Sequence, residues 1–341
     1  MKPIQDLIPE LNVPKKIVIT HHYNPDADAL GSTLGLWHYL KMKGHDCIVI
    51  SPNAMPDFIL WMPKSEIVIN FETQANEASK WLDSSDYLFC LDFNHLSRTK
   101  YFAPVLEKFK GQKVMIDHHL SPDESFDYGI SIPSKSSTCE MVYDFINSCG
   151  DNALINLDIA KCLYAGTMTD TGSFKFPCTT ASVHAMVSDL MSKGLKTTPI
   201  HEAVYDNYNE NRLRFLGFVL SQKMNLIADC HTSIIAISRS ELNEYNINTG
   251  DTEGVVNFPL SLKNVIFSIF ISERENEIRM SFRSKGDFNV NEFARTYFSG
   301  GGHANAAGGK SDDSLEKTLE KLTNAILEHK NILQQCYEQS N

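Results

Sequence analysis

Four separate segments of the chain carry side chains able to hold metal ions. The first is His21-His22-Tyr23-Asn24-Pro25-Asp26-Ala27-Asp28-Ala29-Leu30-Gly31-Ser32. The second supplies Asp92, the third Asp117-His118-His119, and the fourth Thr169-Asp170-Thr171-Gly172-Ser173-Phe174. Carboxylate and imidazole without thiolate suit Mn²⁺- or Mg²⁺-like ions better than structural zinc. Two such ions about 3.5–4 Å apart need mixed oxygen and nitrogen ligands and usually a bridging carboxylate, an arrangement suited to attack on phosphate esters. The D-x-D spacing of Asp26 and Asp28 lets one loop reach two ions. Pro25 stiffens that loop, and Gly31 is expected to let the next helix begin close to whatever lies in the crevice. Taken singly, each segment is ordinary. A D-x-D is usually a solvated turn, Asp92 could cap a helix, and a histidine is often a packed core residue.

Their recurrence matters because of what precedes them. Lys16–Thr20, Cys47–Ile50, Ile67–Ile69, Tyr87–Leu91 and Val114–Ile116 are short apolar runs that read as strands. Helical periodicity over about 29–43, 73–82 and 103–109 separates them. Strands alternating with helices predict an α/β fold, a mostly parallel, doubly wound sheet. In such sheets ligands bind beyond the carboxyl ends of the strands, which is where His22, Asp92 and His118 fall. From about 136 to 218 the pattern is mainly helical. The second half then offers strands at 233–237, 265–271 and 277–283, a turn at Glu273-Arg274-Glu275-Asn276, and a final amphipathic helix near 315–329. The expected organisation is a metal-binding domain over 1–195, a helical linker over 196–220, a smaller α/β domain over 221–332 and a tail over 333–341.

Composition narrows the function classes. With 31 basic and 42 acidic residues the net charge is −11. Long or duplex nucleic acid usually demands a basic footprint, so any phosphate chemistry here needs local charge, which bound cations supply. The eight cysteines form no CxxC pair and read as reduced residues of a cytoplasmic protein. No apolar run reaches membrane-spanning length and no export signal is evident.

Together, H-x-x-P-D-x-D-x-x-G-S, the strand ending at Asp92, D-H-H and T-D-T-G-x-F resemble the DHH phosphoesterase family. Gly300-Gly301-Gly302-His303-Ala304-Asn305-Ala306-Ala307-Gly308-Gly309, preceded by Met280-Ser281-Phe282-Arg283-Ser284, resembles the associated DHHA1 domain. The resemblance covers about residues 14–330 and is greatest to the stand-alone bacterial nanoRNase/3′-phosphoadenosine-5′-phosphate (pAp) phosphatase branch. It implies that His22 and Asp26 ligate a first ion, Asp28 and His118 a second, with Asp92 bridging and Asp170 completing the site. His119 would face the scissile phosphate, and Asp117 would orient a neighbouring histidine. His21 remains an alternative to His22 on local grounds; the family spacing selects His22. Gly300, Gly301, Gly302 and His303 would clamp a substrate phosphate or base, with Arg283 and Arg98 as further phosphate contacts, in a cleft between the domains.

The implied activity is hydrolysis of short oligoribonucleotides to mononucleotides, or of pAp to AMP and phosphate, using two divalent ions, Mn²⁺ before Mg²⁺ or Co²⁺. A short substrate needs few phosphate contacts, which fits the missing basic track. Alternatives are a cyclic-di-AMP or pApA phosphodiesterase, a polyphosphatase or pyrophosphatase, and a non-catalytic nucleotide-binding regulator. The partners are small phosphorylated nucleotides and no membrane, and the exposed mid-chain helices could pair two copies as a homodimer.

Overall fold

A computed structural model describes residues 1–206, 208–248, 250–275 and 277–339. The chain divides into two compact units, Met1–Asn207 and Tyr208–Asn341.

Unit 1 contains β1 (Lys2–Pro3), β2 (Lys16–Thr20), α1 (Ala27–Met42), β3 (Asp46–Ser51), β4 (Ile69–Asn70), α2 (Phe71–Ser84), β5 (Tyr87–Leu91), α3 (Ala103–Glu107), β6 (Gln112–Asp117), β7 (Tyr128–Ser131), α4 (Thr138–Ser148), α5 (Leu157–Asp170), α6 (Ala181–Ser192) and α7 (Thr198–Tyr205). Among the described residues its sheet has seven strands in the order β1-β7-β6-β5-β2-β3-β4, every pairing parallel. Strand alternation splits the core in two. Ile17, Ile19, Phe89, Leu91, Val114 and Ile116 join the cluster under α1, α4 and α5. Val18, Leu88, Cys90 and Met115 face the opposite way, toward Ala78, Leu82, Phe102 and Leu106. Helices therefore cover both faces, as the near-continuous apolar strands require. The chain runs outward from β2 through β3 and β4, then returns to build β5, β6 and β7 on the other side. The strand order reverses between β2 and β5, the position where doubly wound sheets open their crevice.

Two expectations shift here. Of Ile67–Ile69, only Ile69 enters β4; Ser65–Ile67 forms a 3-10 turn after Lys64, whose φ is +68°. Gly31 faces the neighbouring helix, not the crevice. A Cβ there would lie 2.5 Å from the Cys162 carbonyl oxygen, so this glycine lets α1 and α5 pack closely.

Unit 2 contains α8 (Glu210–Phe218), β8 (Met224–Ile227), β9 (Thr232–Ile237), α9 (Arg239–Glu244), β10 (Phe267–Glu273), β11 (Ile278–Ser284), α10 (Val290–Tyr297), β12 (Gly301–His303), β13 (Ala306–Ser311), α11 (Leu315–Glu328) and α12 (Lys330–Gln339). Among the described residues its sheet has six strands in the order β12-β13-β11-β10-β9-β8, with β9 and β10 parallel and the rest antiparallel. Ile269, Ile271, Met280 and Phe282 pack with α10, α11 and α12 on one face. Ile235, Ile237 and Phe270 pack with Phe215 and Leu242 on the other. Of the turn expected at Glu273–Asn276, Asn276 lies outside the described residues, as do Asn207 of the expected linker and residues 340–341 of the expected tail. Residues 333–339 of that tail lie in α12, which buries Leu333 and Cys336. Among the described residues no helix is long and apolar enough to cross a membrane.

Candidate metal centre

Three adjacent strands of unit 1 deliver the ligand-type residues. β2 ends into His21 and His22, β5 into Asp92, and β6 into Asp117, His118 and His119. Asp26 and Asp28 open α1, and Asp170 closes α5. Asp92 takes φ +63°, a left-handed conformation that aspartate tolerates better than most residues.

Asp92 stands at the middle of the cluster and is 2% exposed. Its Oδ2 lies 3.3 Å from His22 Nε2, which in turn is 3.8 Å from Asp26 Oδ2. Its Oδ1 lies 3.5 Å from His118 Nε2. That same nitrogen is 3.8 Å from Asp28 Oδ2 and 3.4 Å from Asp170 Oδ2. His22, Asp26 and Asp92 thus form one group of converging ligand atoms, and Asp28, Asp92 and His118 form another. Asp92 is common to both, one oxygen toward each.

The two histidines are aimed by their other nitrogens. His22 Nδ1–H donates to the Tyr23 carbonyl at 2.9 Å, and His118 Nδ1–H to the Lys135 carbonyl at 3.3 Å. Each arrangement turns Nε2 toward the carboxylates, the atom through which such an imidazole would bind a metal. His21 points away. It is fully buried, its Nδ1–H donates to the His22 carbonyl at 2.9 Å, and burial lowers its pKa to about 4. It is therefore a neutral packing residue, and the geometry sets it apart from the converging group.

The carboxylates are also held. Asp26 caps α1, its Oδ1 accepting from the N–H groups of Asp28 and Ala29 at 3.0 and 2.9 Å. Asp28 sits at the N-terminus of α4 and accepts from the Thr138 and Cys139 N–H groups at 2.7 and 2.9 Å. Oriented amides at a helix N-terminus favour an anion there. Thr138 Oγ1 donates to Asp92 Oδ1 at 3.1 Å. Asp117, fully buried, accepts from His119 Nδ1–H at 2.7 Å and from the His119 backbone N–H at 3.0 Å.

The charge balance favours a cation. Burial, with the neighbouring Asp92, raises the Asp28 carboxyl to about 7. Burial and then the charges of Asp28 and Asp26 push Asp170 well above the usual carboxylate range. Burial alone would lower His118, but Asp92, Asp170 and Asp28 hold it well above the ordinary imidazole value. Four carboxylates converge on two imidazoles, and their crowding makes the group hold protons that a bound cation would displace. Oxygen and imidazole donors without thiolate fit hard divalent cations. The nearby Cys139 thiol is turned toward the Asp28 backbone carbonyl.

Sequence reading missed the supports of this centre. Thr138 and Cys139 orient Asp28, and Gly166 permits its approach, since a Cβ at 166 would lie 2.7 Å from Asp28 Cα and 2.8 Å from its Oδ1. The available signal was Ser137-Thr138-Cys139-Glu140, an S-x-x-E start of a helix; Ser137 caps α4 and accepts from the Glu140 N–H at 3.0 Å. Of the residues expected to meet substrate, Arg98 is half-buried in the 3-10 segment Leu96–Phe102, and its charge acts on His22. Unit 2 brings Arg283 and His303 to one face, since both are register partners of Ala306. Arg283 is half-buried, with Nη1 donating to the Phe282 carbonyl at 3.0 Å. The glycine segment forms a hairpin, not an open loop: Gly301 and Gly302 pair with Gly308 and Ala307. Gly302 N–H donates to Asn291 Oδ1 at 2.9 Å. A Cβ at Gly300 would lie 2.2 Å from the Gly308 carbonyl oxygen, so backbone packing itself demands glycine there.

Residues 16–167 match the N-terminal domain of the DHH family, and residues 230–330 match the DHHA1 domain. A solved exopolyphosphatase-related protein from Bacteroides fragilis is 38% identical, with a TM-score of 0.93 and 97% of each chain covered. The bifunctional oligoribonuclease and PAP phosphatase NrnA of Thermus thermophilus is 27% identical over 92% of this chain and 89% of that one. Its Bacillus subtilis namesake is 26% identical over 95% and 99%.

Proposed function

Since the chain belongs to the DHH family and carries a DHHA1 domain, we propose that it is a metal-dependent phosphoesterase hydrolysing short oligoribonucleotides to mononucleotides, or pAp to AMP and phosphate. The observation that carries this reading is the sharing of Asp92 between two ligand groups. His22, Asp26 and Asp92 would hold one divalent ion, and Asp28, Asp92, His118 and Asp170 the other, with Mn²⁺ the first candidate. When bound, such a pair supplies Lewis-acid charge to phosphoryl oxygens and makes water acidic enough to attack at neutral pH.

The chain's own residues do the rest. Backbone carbonyls fix the His22 and His118 tautomers, and the start of α4 fixes Asp28. Asp117 keeps a proton on His119 Nδ1, so Nε2 is the ring atom that meets the substrate. That position suits a hydrogen-bond contact with a phosphoryl oxygen as charge builds there. Arg283 and His303, on one face of the unit 2 sheet, are suited to a second phosphate or a base. The NrnA relatives support a short nucleotide substrate, and a net charge of −11 argues against a long one. We place the activity in the cytoplasm.

The test is a Mn²⁺-dependent assay across pAp, pApA, cyclic-di-AMP, inorganic polyphosphate and oligoribonucleotides of graded length. Dinucleotides should be cut fastest, with rates falling as length grows, and Asp92→Ala should be inactive. Equal rates on dinucleotides and on strands about ten times longer, or full activity in Asp92→Ala, would overturn the reading. The Bacteroides relative's description favours a second reading, hydrolysis of inorganic phosphate chains; phosphate release from polyphosphate with no nucleotide cleavage would establish it.

A further inference from the structure

Unit 1 carries a group of side chains tied to the His22 loop that no step above uses. Tyr23 directly follows His22, and its backbone N–H donates to the Arg98 carbonyl at 2.9 Å. That bond ties the His22 loop to the 3-10 segment Leu96–Phe102. Within the segment Thr99 and Phe102 are fully buried, and Phe102 stacks on Phe71 with ring centroids 4.3 Å apart. The two residues between them project outward: Lys100 is exposed, and Tyr101 is 56% exposed. The Tyr101 hydroxyl donates to the Tyr23 hydroxyl at 3.0 Å, and the rings meet edge to face at 5.5 Å and 89°. Lys100 Nζ lies 4.2 Å from the centre of the Tyr23 ring.

Three features set this group apart from an ordinary surface. The exposed Tyr101 ring is fixed at its hydroxyl, so little entropy is lost when a flat partner covers it. Lys100 holds φ +52° and ψ −119°, a conformation disfavoured for any residue with a side chain, and such strain persists only where its surroundings impose it. Arg98, whose charge reaches His22, and Lys100 also place two cations on the segment tied to the His22 loop, in a chain of net charge −11.

We propose that Tyr101, Tyr23 and Lys100 form the nucleoside platform of unit 1. The base adjoining the scissile phosphate stacks on the exposed face of Tyr101, backed by Tyr23. The Lys100 ammonium, steered by the Tyr23 ring, donates to the phosphate that is not cleaved. The ligand class is a nucleotide bearing a second phosphate. This deepens the phosphoesterase reading and rests on it. It also explains how an acidic protein would prefer nucleotides to inorganic chains, which have no π-face to stack.

The experiment pairs catalysis with binding in the full-length, Mn²⁺-loaded protein. Tyr101→Ala should raise KM for pApA, and Kd for AMP measured by calorimetry, by about 5- to 150-fold, the range for losing one stacked base. kcat should change much less, and selectivity for pApA over its abasic analogue should collapse. Tyr101→Phe should keep most of the affinity. Lys100→Gly removes the ammonium while accepting the backbone, so its Tm should hold or rise while affinity for pApA falls about tenfold. Leu226→Ala, exposed on β8, is the matched control. AMP affinity within twofold of wild type in Tyr101→Ala, or no AMP binding by the wild type, overturns the platform. Tyr101-dependent AMP binding without cleavage of any nucleotide would instead overturn the proposed activity and leave the platform standing.

Discussion

Gly166→Ala puts the support of the candidate metal centre to a quantitative test. The added Cβ would sit 2.4 Å from Cys139 Sγ, 2.7 Å from Asp28 Cα and 2.8 Å from Asp28 Oδ1. Against backbone, that is about 0.7 Å short of ordinary van der Waals contact. Cys139 Sγ is a side-chain tip that can turn aside, but Asp28 Cα is backbone of α1, which packs on α5, so the overlap there must shift the backbone that carries Asp28. Replacing a helical glycine by alanine gains about 1 kcal/mol of helix propensity. Overpacking a close-packed core costs about 1–3 kcal/mol, for a net loss of about 0–2 kcal/mol. The larger effect is on Asp28. A shift of about 0.7 Å stretches its bonds from Thr138 N–H and Cys139 N–H, now 2.7 and 2.9 Å, beyond useful length. Loss of such orienting partners typically weakens metal affinity by about 10- to 100-fold. Mn²⁺ titration followed by electron paramagnetic resonance of the free ion, with thermal unfolding alongside, measures both effects. Gly217→Ala in α8 is the matched control, because nothing lies within 4 Å of its Cβ; its Tm should hold or rise and its Mn²⁺ binding should match wild type. A Gly166→Ala protein that binds Mn²⁺ within about twofold of wild type would show that the approach of α5 to Asp28 does not set the site.

Other substitutions separate chemistry from packing. His22→Ala should lose at least about tenfold in Mn²⁺ affinity with little change in Tm, whereas His21→Ala should lower Tm and keep Mn²⁺ binding, since His21 is fully buried with its Nδ1–H on the His22 carbonyl; the opposite pattern would exchange the two assignments. Glu140 gives a pH signature. Burial would raise its pKa, but Lys135 at 2.8 Å, the Ser136 N–H and hydroxyl at 2.9 and 2.8 Å and the Ser182 hydroxyl at 2.7 Å outweigh burial and hold it below the ordinary glutamate value. A depressed folded pKa stabilises above the unfolded pKa and is lost as pH falls through the folded one. The Tm gap between wild type and Glu140→Gln in metal-free protein, equivalent to about 1–3 kcal/mol, should be full above about pH 5 and close below it; a gap that widens on acidification would refute the ion-pair account.

The strands that carry the site were readable because they are buried on both faces. Lys16–Thr20 and Tyr87–Leu91 are continuous apolar runs, and parallel strands covered by helices have to be. Segments whose state is set by a partner gave no such signal. β7 is four residues long and includes Gly129, where a Cβ would lie 2.7 Å from the Met115 carbonyl oxygen; its strand state follows from pairing with β6. β12 and β13 read as a glycine-rich loop because Gly-Gly-His and Ala-Ala-Gly-Gly lack any apolar alternation. They are strands because β11 supplies a template for β13, and only glycine allows the close backbone approach at 300 and 302. α12 escaped notice because it buries only Leu333 and Cys336, a single i, i+3 pair in an otherwise polar stretch.

The same division runs through the site. Ligand identity lives in side chains, so aspartate and histidine at strand ends mark themselves. Ligand orientation lives in the backbone: the carbonyls of Tyr23 and Lys135 and the N–H groups of Thr138 and Cys139 would do the same work with almost any side chain attached. Such supports leave a trace only where they constrain residue type, as at Ser137, which must cap α4, and Gly166, which must stay small. His21 and His22 show the limit most sharply. They are adjacent and chemically identical, and each donates Nδ1–H to the carbonyl of the residue that follows it. Strand alternation sends one into the core and the other toward Asp92, a difference in direction that side-chain chemistry alone does not carry.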